Sequence, residues 1–141
     1  MDRVYIETTI ISYLVARRPS DVIKAARQKA TEEWWNQHRL SYLCLTSTET
    51  VRECSLGDET VASLRLKMLD SIPVIAVDLS ALNLARTIIE RKILPPLAIS
   101  DAIHASVAAH HHSDLLLTWN CRHLANPHIL PKLRSFVEQR G

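Results

Sequence analysis

The sequence predicts an α/β fold in which a central, mostly parallel β-sheet is flanked by helices. Short runs of apolar and β-branched residues alternate with segments of helical spacing along the whole chain. The last of these runs, residues 115–117, is continuously apolar, as a strand buried on both faces is. Hydrophobic residues make up 47% of the 141 residues and charged residues 23%, which is usual for a globular protein. We therefore expect one domain over residues 1–141.

The first third of the chain contains two strand candidates with helices between them. The first strand is predicted at residues 4–6, and residues 10–14 follow at helical spacing. Ser20 can cap a long helix that runs to about His38, and residues 42–45 form the second strand candidate. The face of the long helix that we expect to be buried carries Val22, Ile23, Ala26, Ala30 and Trp34.

The middle of the chain is predicted to form two helices and a third strand. Hydroxyl residues at positions 46–48 can cap a helix that ends near Gly57, and Asp58 can cap the next helix. Residues 73–77 then form a β-branched strand candidate. The face of the second helix that we expect to be buried carries Val61, Leu64, Met68 and Leu69.

The last third begins with a helix that Ser80 can cap and that runs to about Arg91, before a break at Pro95-Pro96. The elements predicted after the break are a helix over residues 101–111 capped by Ser100, a strand over residues 115–118 and a helix from about Pro131.

Bulk properties exclude several classes of protein. The net charge of +2, from 17 basic and 15 acidic residues, gives no strong overall attraction to nucleic acid, so any such binding needs a local patch. The three cysteines, Cys44, Cys54 and Cys121, have no framework spacing, which favours a reducing compartment. We find neither a signal-peptide pattern nor an apolar run long enough for a membrane helix, and we expect a cytoplasmic protein.

Polar and acidic residues follow the predicted strands. Glu7 comes directly after the first strand, and Thr118 and Asn120 close the last one. Asp101 opens a helix on which His104 lies one turn later, on the same face. Because functional groups of α/β sheets gather at the carboxyl ends of the strands, we expect an acidic site there. From local sequence alone, Asp101 could equally be a helix cap.

Four separated blocks of the sequence occur in one order: residues 5–9, Ser47 with Glu53, residues 100–104 and residues 117–124. This ordered set resembles the PIN-domain nucleases, and in particular the VapC-like toxins of prokaryotic toxin–antitoxin pairs. The resemblance spans nearly the whole chain. It implies a three-layer PIN-like sandwich over residues 1–141 and hydrolysis of phosphodiester bonds by metal-activated water.

The resemblance also implies the residues of the site. Glu7 takes the place of the first acid, which is normally Asp, and Glu53 takes that of a helical Glu. Glu49 lies one turn earlier on the same helix face and competes for this role. Asp101 is the third acid, and Asn120 stands where the family often has a fourth.

Three carboxylates, from Glu7, Glu53 and Asp101, suffice for one Mg²⁺ or Mn²⁺, because these hard cations prefer oxygen ligands. With Asn120 in the fourth position, one ion is better supported than two. In this scheme Thr8 and Thr118 hydrogen-bond the acids, Asn120 orients a water or a ligand, and His104 packs beside the site. Asn120 and the three acids make up the predicted catalytic set.

The function implied is that of a Mg²⁺-dependent endoribonuclease that is the toxin of a toxin–antitoxin pair. Its partners would be RNA, an antitoxin protein and a second copy of the chain in a homodimer, with no membrane. Two alternatives stay open. One is a solitary PIN nuclease in RNA processing or turnover, and the other is a decayed site that serves as a protein-interaction module.

The run His110-His111-His112 raises the question of a zinc site. Consecutive residues of a helix point about 100° apart and cannot all face one ion. Neither His104 nor His123 completes a known zinc-ligand spacing with the run. We therefore interpret the run as an exposed helix end.

Overall fold

The computed structural model describes residues 1–140, the side chain of residue 140 excepted. Its strands are β1 (Arg3–Ile6), β2 (Leu43–Ser47), β3 (Val74–Ile75) and β4 (Leu115–Leu117). Its α-helices are α1 (Thr8–Val15), α2 (Val22–Glu33), α3 (Thr48–Cys54), α4 (Glu59–Met68), α5 (Leu79–Glu90), α6 (Ile99–His110) and α7 (Leu130–Arg140). Short helical turns are the π-helical Trp34–His38 and the 3₁₀ segments Arg39–Ser41, Leu69–Ser71 and Pro96–Ala98.

The four strands form one sheet in the order β3-β2-β1-β4. Every pairing is parallel, with Val4 opposite both Cys44 and Leu115, and Thr46 opposite Val74. The predicted α/β fold with a parallel sheet is confirmed. In a parallel sheet, groups at the carboxyl ends of neighbouring strands lie side by side.

Helices cover both faces of the sheet, as the alternation of side chains along β1 shows. Val4 and Ile6 pack in a core with residues of α1, α3 and α4, whereas Tyr5 points to the other face. There it packs with Ala81 of α5 and Val107 of α6. A further core joins α5, α6 and α7. The three layers expected from the sequence are therefore present.

Two of the predicted helix caps are wrong because an aspartate lies nearby. Asp21, not Ser20, caps α2 by accepting a hydrogen bond from the Lys24 amide at 2.9 Å. Asp78, not Ser80, caps α5 through the Ala81 amide, also at 2.9 Å. A carboxylate is both a good acceptor and a charge that the helix dipole favours. The caps at Ser47 and Asp58 are as predicted.

Ser100 is not a cap either. The 3₁₀ turn Pro96–Ala98 leads directly into α6, whose first residue is Ile99. Ser100 therefore lies inside the helix, and its hydroxyl is used for a contact with α3.

The predicted buried face of α2 is also wrong. Val22 is 82% exposed and Ile23 65% exposed, and the buried α2 residues are Gln28 and Thr31. Gln28 donates to the carbonyls of Tyr13 (3.2 Å) and Ala16 (2.7 Å), which the end of α1 leaves without helical partners. The helix thus docks through hydrogen bonds, which an apolar pattern does not reveal.

The face predicted for α4 is only partly right. Leu69, just after the helix, is buried, but Leu64 is 48% exposed and Ala62 takes the inward position. Within residues 1–140, no helix is both long and apolar enough to cross a membrane.

Candidate active site

Glu7 lies where β1 passes into α1 and is only 3% exposed. Its Oε1 accepts hydrogen bonds from the hydroxyls of Thr9 (2.5 Å) and Thr118 (2.6 Å). Thr118 follows β4, the neighbour of β1 in the sheet. The longer side chain at this position is therefore held by hydroxyls from two adjoining strand ends.

Glu53 reaches the same place from α3. Its Oε1 accepts from the Thr8 hydroxyl at 2.6 Å and lies 2.5 Å from Nε2 of His104. Ligand atoms of Glu7, Glu53 and His104 all lie within 4.8 Å of one another. Burial raises the pKa of Glu53, but the hydrogen bond and charge of His104 and the bond from Thr8 outweigh it, so the pKa is lowered. Glu53 is therefore ionised at neutral pH.

Asp101 lies in the first turn of α6. Its Oδ1 accepts from Nδ2 of Asn120 at 2.9 Å, and its Oδ2 lies 2.8 Å from Nδ1 of His123. The Asn120 amide N–H donates to the Thr118 hydroxyl at 2.9 Å, which in turn donates to Glu7. Among the described residues Asp101 stands outside the 4.8 Å group, but this network joins it to Glu7.

Glu49, the alternative to Glu53 as the helical acid, is bound by other residues. Arg52 donates to it from Nε (2.7 Å) and Nη2 (2.8 Å), and the Ser100 hydroxyl donates at 2.6 Å. Burial raises the pKa of Glu49, but the bonds from Arg52 and Ser100 lower it overall. The charge of Glu49 is thus neutralised by a guanidinium, and its side chain ties α3 to α6. The geometry favours Glu53 as the helical acid of the site.

His104 is completely buried beneath the acids. Ionised Glu53 can only accept, so Nε2 of His104 carries the proton and donates. Nδ1 lies 2.7 Å from the Tyr5 hydroxyl, which is also 2.7 Å from the Ser47 hydroxyl. Both ring nitrogens are therefore engaged. We assign His104 a positioning role toward Glu53 and no lone pair for a metal.

Tyr5 anchors this arrangement from the central strand. Burial raises the pKa of Tyr5 to about 12, so its hydroxyl stays protonated at neutral pH. This hydroxyl can therefore donate a hydrogen bond to Nδ1 of His104, which lies 2.7 Å away. One strand residue thereby fixes the ring that holds Glu53.

The donor set fits a hard divalent cation. Among the described residues, no Lys or Arg side chain pairs with Glu7, Glu53 or Asp101. Two carboxylates within 4.8 Å of each other repel unless a cation lies between them. Carboxylate oxygens are the ligands that Mg²⁺ and Mn²⁺ prefer.

Sequence reasoning missed several residues of this network. Thr9, Tyr5 and His123 belong to the blocks that carried the family resemblance, but no local pattern assigns them a contact. The pairs formed by Glu7 with Thr118 and by Tyr5 with His104 are separated by 111 and 99 residues. The sequence does indicate one contact, the ion pair of Glu49 with Arg52, because residues three apart on a helix can pair their charges.

Tyr5→Phe is expected to lower the free energy of unfolding by about 1–3 kcal/mol, because it leaves buried polar groups of Ser47 and His104 without their partner. Urea denaturation followed by circular dichroism measures the change. Tyr42→Phe is the control: Tyr42 is half-buried and stacks on Trp34 outside the site. Equal effects of the two substitutions would contradict the role given to the Tyr5 hydroxyl.

Comparison with known proteins identifies the family. A family model described as "PIN domain" matches residues 4–124. Among solved structures, the fold is similar to a crystal structure of VapBC2 from Rickettsia felis bound to a DNA fragment from their promoter. That likeness has a TM-score of 0.56 at 17% identity and covers 85% of this chain and 89% of the other. No curated protein sequence matches the chain. Because the family model spans most of the chain, the chain belongs to the PIN domain family, the nuclease family that its sequence blocks resemble.

Proposed function

We propose that this PIN domain is a Mg²⁺-dependent endoribonuclease, with Mn²⁺ able to substitute, and that it is the toxin of a toxin–antitoxin pair. The observation that carries the proposal is the meeting of Glu7 and Glu53 within 4.8 Å. Neither acid has a Lys or Arg partner among the described residues. Such a site needs a cation, and the family is one of nucleases.

Each polar residue of the site has a distinct part in the proposal. Glu7, Glu53 and Asp101 hold the cation, directly or through water. When bound, Mg²⁺ supplies a Lewis acid for the scissile phosphate and lowers the pKa of a water molecule.

The supporting residues hold the acids ready. Thr118 fixes Glu7, while Thr8 and His104 fix Glu53. The side-chain N–H of Asn120 donates to Asp101, and its side-chain oxygen accepts from the His123 amide, so Asn120 orients the acid. Acids held before the ion arrives need little rearrangement to bind it, which favours the reaction.

The proposed partners of the toxin are an antitoxin protein and a second copy of the chain. The similar solved structure is that of VapBC2 with promoter DNA, which supports an antitoxin partner. The homodimer is proposed from the resemblance of the sequence blocks to VapC-like toxins. Large apolar side chains are free to meet such partners: Leu97 is 99% exposed and Val22 82% exposed. Cys44, Cys54 and Cys121 are unpaired, in keeping with the cytoplasm.

The direct test is cleavage of a defined single-stranded RNA by the purified protein after removal of metals with EDTA. We expect cleavage to return with Mg²⁺ or Mn²⁺ and to be absent in EDTA, because the acids cannot stabilise a phosphate without the ion. A DNA strand of the same sequence is the matched substrate control. Equal cleavage of RNA and DNA would overturn the ribonuclease assignment, and no cleavage with either ion would favour the interaction module.

The genetic role is tested by gene context. A short upstream frame that encodes a DNA-binding protein would support a toxin. A solitary gene would favour the alternative of RNA processing or turnover.

A further inference from the structure

A second group of metal-ligating side chains lies away from the acidic site. Asp78, His110 and His111 offer ligand atoms that are all within 4.8 Å of one another. His110 follows Asp101 by nine residues on α6, which is roughly 13 Å along the helix axis. The two groups therefore occupy different ends of this helix.

The two histidines converge because the helix ends between them. Their separation of about 100° assumes a continuous helix, but α6 stops at His110 and His111 is its C-cap, with φ −97° and ψ 18°. His112 then adopts a left-handed φ of 56° and turns the chain away. The rings of His110 and His111 lie 5.1 Å apart and almost perpendicular, at 86°. The expectation that the run is merely an exposed helix end is thus incomplete.

Asp78 is held in place at the start of α5, the helix that it caps. Its Oδ1 accepts the Ala81 amide at 2.9 Å as the cap of α5. Its Oδ2 lies 3.5 Å from Nε2 of His110. The cap bond therefore holds the second oxygen toward the histidines, and about half of each side chain stays accessible, 48% for Asp78 and 43% for His110.

The distance between Asp78 and His110 fits two ligands of one metal ion better than it fits a hydrogen bond. Bonds of about 2.0–2.2 Å in a tetrahedral zinc site place neighbouring ligand atoms about 3.3–3.6 Å apart. The 3.5 Å between Asp78 and His110 falls in this range and exceeds the usual length of an N–H···O hydrogen bond, about 2.7–3.2 Å. Within the described structure, Nε2 of His111 is buried and has no hydrogen-bond partner. A polar atom of this kind requires an explanation.

We propose that Asp78, His110 and His111 form a Zn²⁺ site that clamps the start of α5 to the end of α6. Two imidazoles and one carboxylate are ligands that suit Zn²⁺, whereas Mg²⁺ prefers oxygen alone. The exposure of Asp78 and His110 leaves room for water in the fourth position. The site is separate from the acidic cluster and does not depend on the ribonuclease assignment.

The test is a zinc titration of the full-length, tag-free protein in competition with a fluorescent zinc chelator. With excess Mg²⁺ present to occupy the acidic site, we expect one zinc ion per chain, and we expect Asp78→Asn and His110→Gln each to weaken its affinity by more than about 10-fold. Asn retains a cap acceptor for the Ala81 amide, so Asp78→Asn should leave the fold intact. Circular dichroism confirms folding of each variant.

Two controls make the result specific. His112→Gln changes the third histidine of the run, which is outside the cluster, and should leave the affinity unchanged. If it weakens zinc binding as much as His110→Gln does, the run binds zinc only as a histidine-rich segment and the proposal is overturned. Glu53→Gln separates the acidic site: loss of the zinc ion in this variant, or no binding by the unaltered protein, would equally overturn it.

Discussion

Glu53→Gln is expected to lower the rate of Mg²⁺-dependent RNA cleavage by about 100-fold or more, whereas Glu49→Gln should keep most of the activity. The two acids lie one turn apart on α3, but only Glu53 approaches Glu7. Glu49 is bound by Arg52 and Ser100. Glutamine keeps the size of either side chain and removes the charge that a cation requires. Single-turnover cleavage of the defined RNA over a range of Mg²⁺ concentrations measures both variants.

The Mg²⁺ dependence distinguishes a lost ligand from a damaged fold. A lost ligand raises the Mg²⁺ concentration needed for half-maximal rate, while a partly unfolded protein loses activity at every concentration. Glu49→Gln is the matched control, since it is the same substitution on the same helix. If Glu49→Gln is the more damaging change, the helical acid of the site is Glu49 and our assignment is wrong.

Asp101→Asn is expected to cost a similar factor of about 100-fold. Asp101 lies at the start of α6, and both of its carboxylate oxygens accept hydrogen bonds. Oδ1 accepts from Nδ2 of Asn120, and Oδ2 accepts from Nδ1 of His123. An amide in its place would lose the negative charge and turn one N–H group toward these donors. The loss should therefore exceed that caused by Glu49→Gln, and the same single-turnover assay compares the two.

Asp70→Asn is the control for this change, because Asp70 is exposed in the 3₁₀ turn Leu69–Ser71. It should retain the activity of the unaltered protein. Equal cleavage by the Asp101→Asn variant and the unaltered protein would remove Asp101 from the site. The remaining pair, Glu7 and Glu53, would then have to hold the ion alone.

The parallel sheet could be predicted because it depends on patterns that are local in the sequence. The apolar run at residues 115–117 correctly predicted a strand, but not its burial on both faces, because β4 lies at the edge of the sheet and Leu115 is 48% exposed. The caps at Ser20 and Ser80 could not be distinguished from Asp21 and Asp78, because all four are good capping residues. Which one caps depends on where the preceding chain enters the helix.

The face of α2 could not be predicted from apolar spacing because its docking is polar. Gln28 satisfies carbonyls at the end of α1, a contact that needs the position of another helix. The acids Glu7, Glu53 and Asp101 could be named from their places in the sequence blocks. Their relation could not, since it depends on hydroxyl groups from distant strand ends, such as Thr118 on Glu7.

The lengths of the strands have a consequence for how the chain behaves at high concentration. In the sheet order, the inner strands β2 and β1 have five and four residues, while the outer strands β3 and β4 have two and three. An outer strand exposes unpaired backbone groups that can template the addition of another chain, and a very short one offers few of them. The order of strand lengths therefore protects the folded chain against edge-to-edge association and the fibrous aggregation that can follow from it.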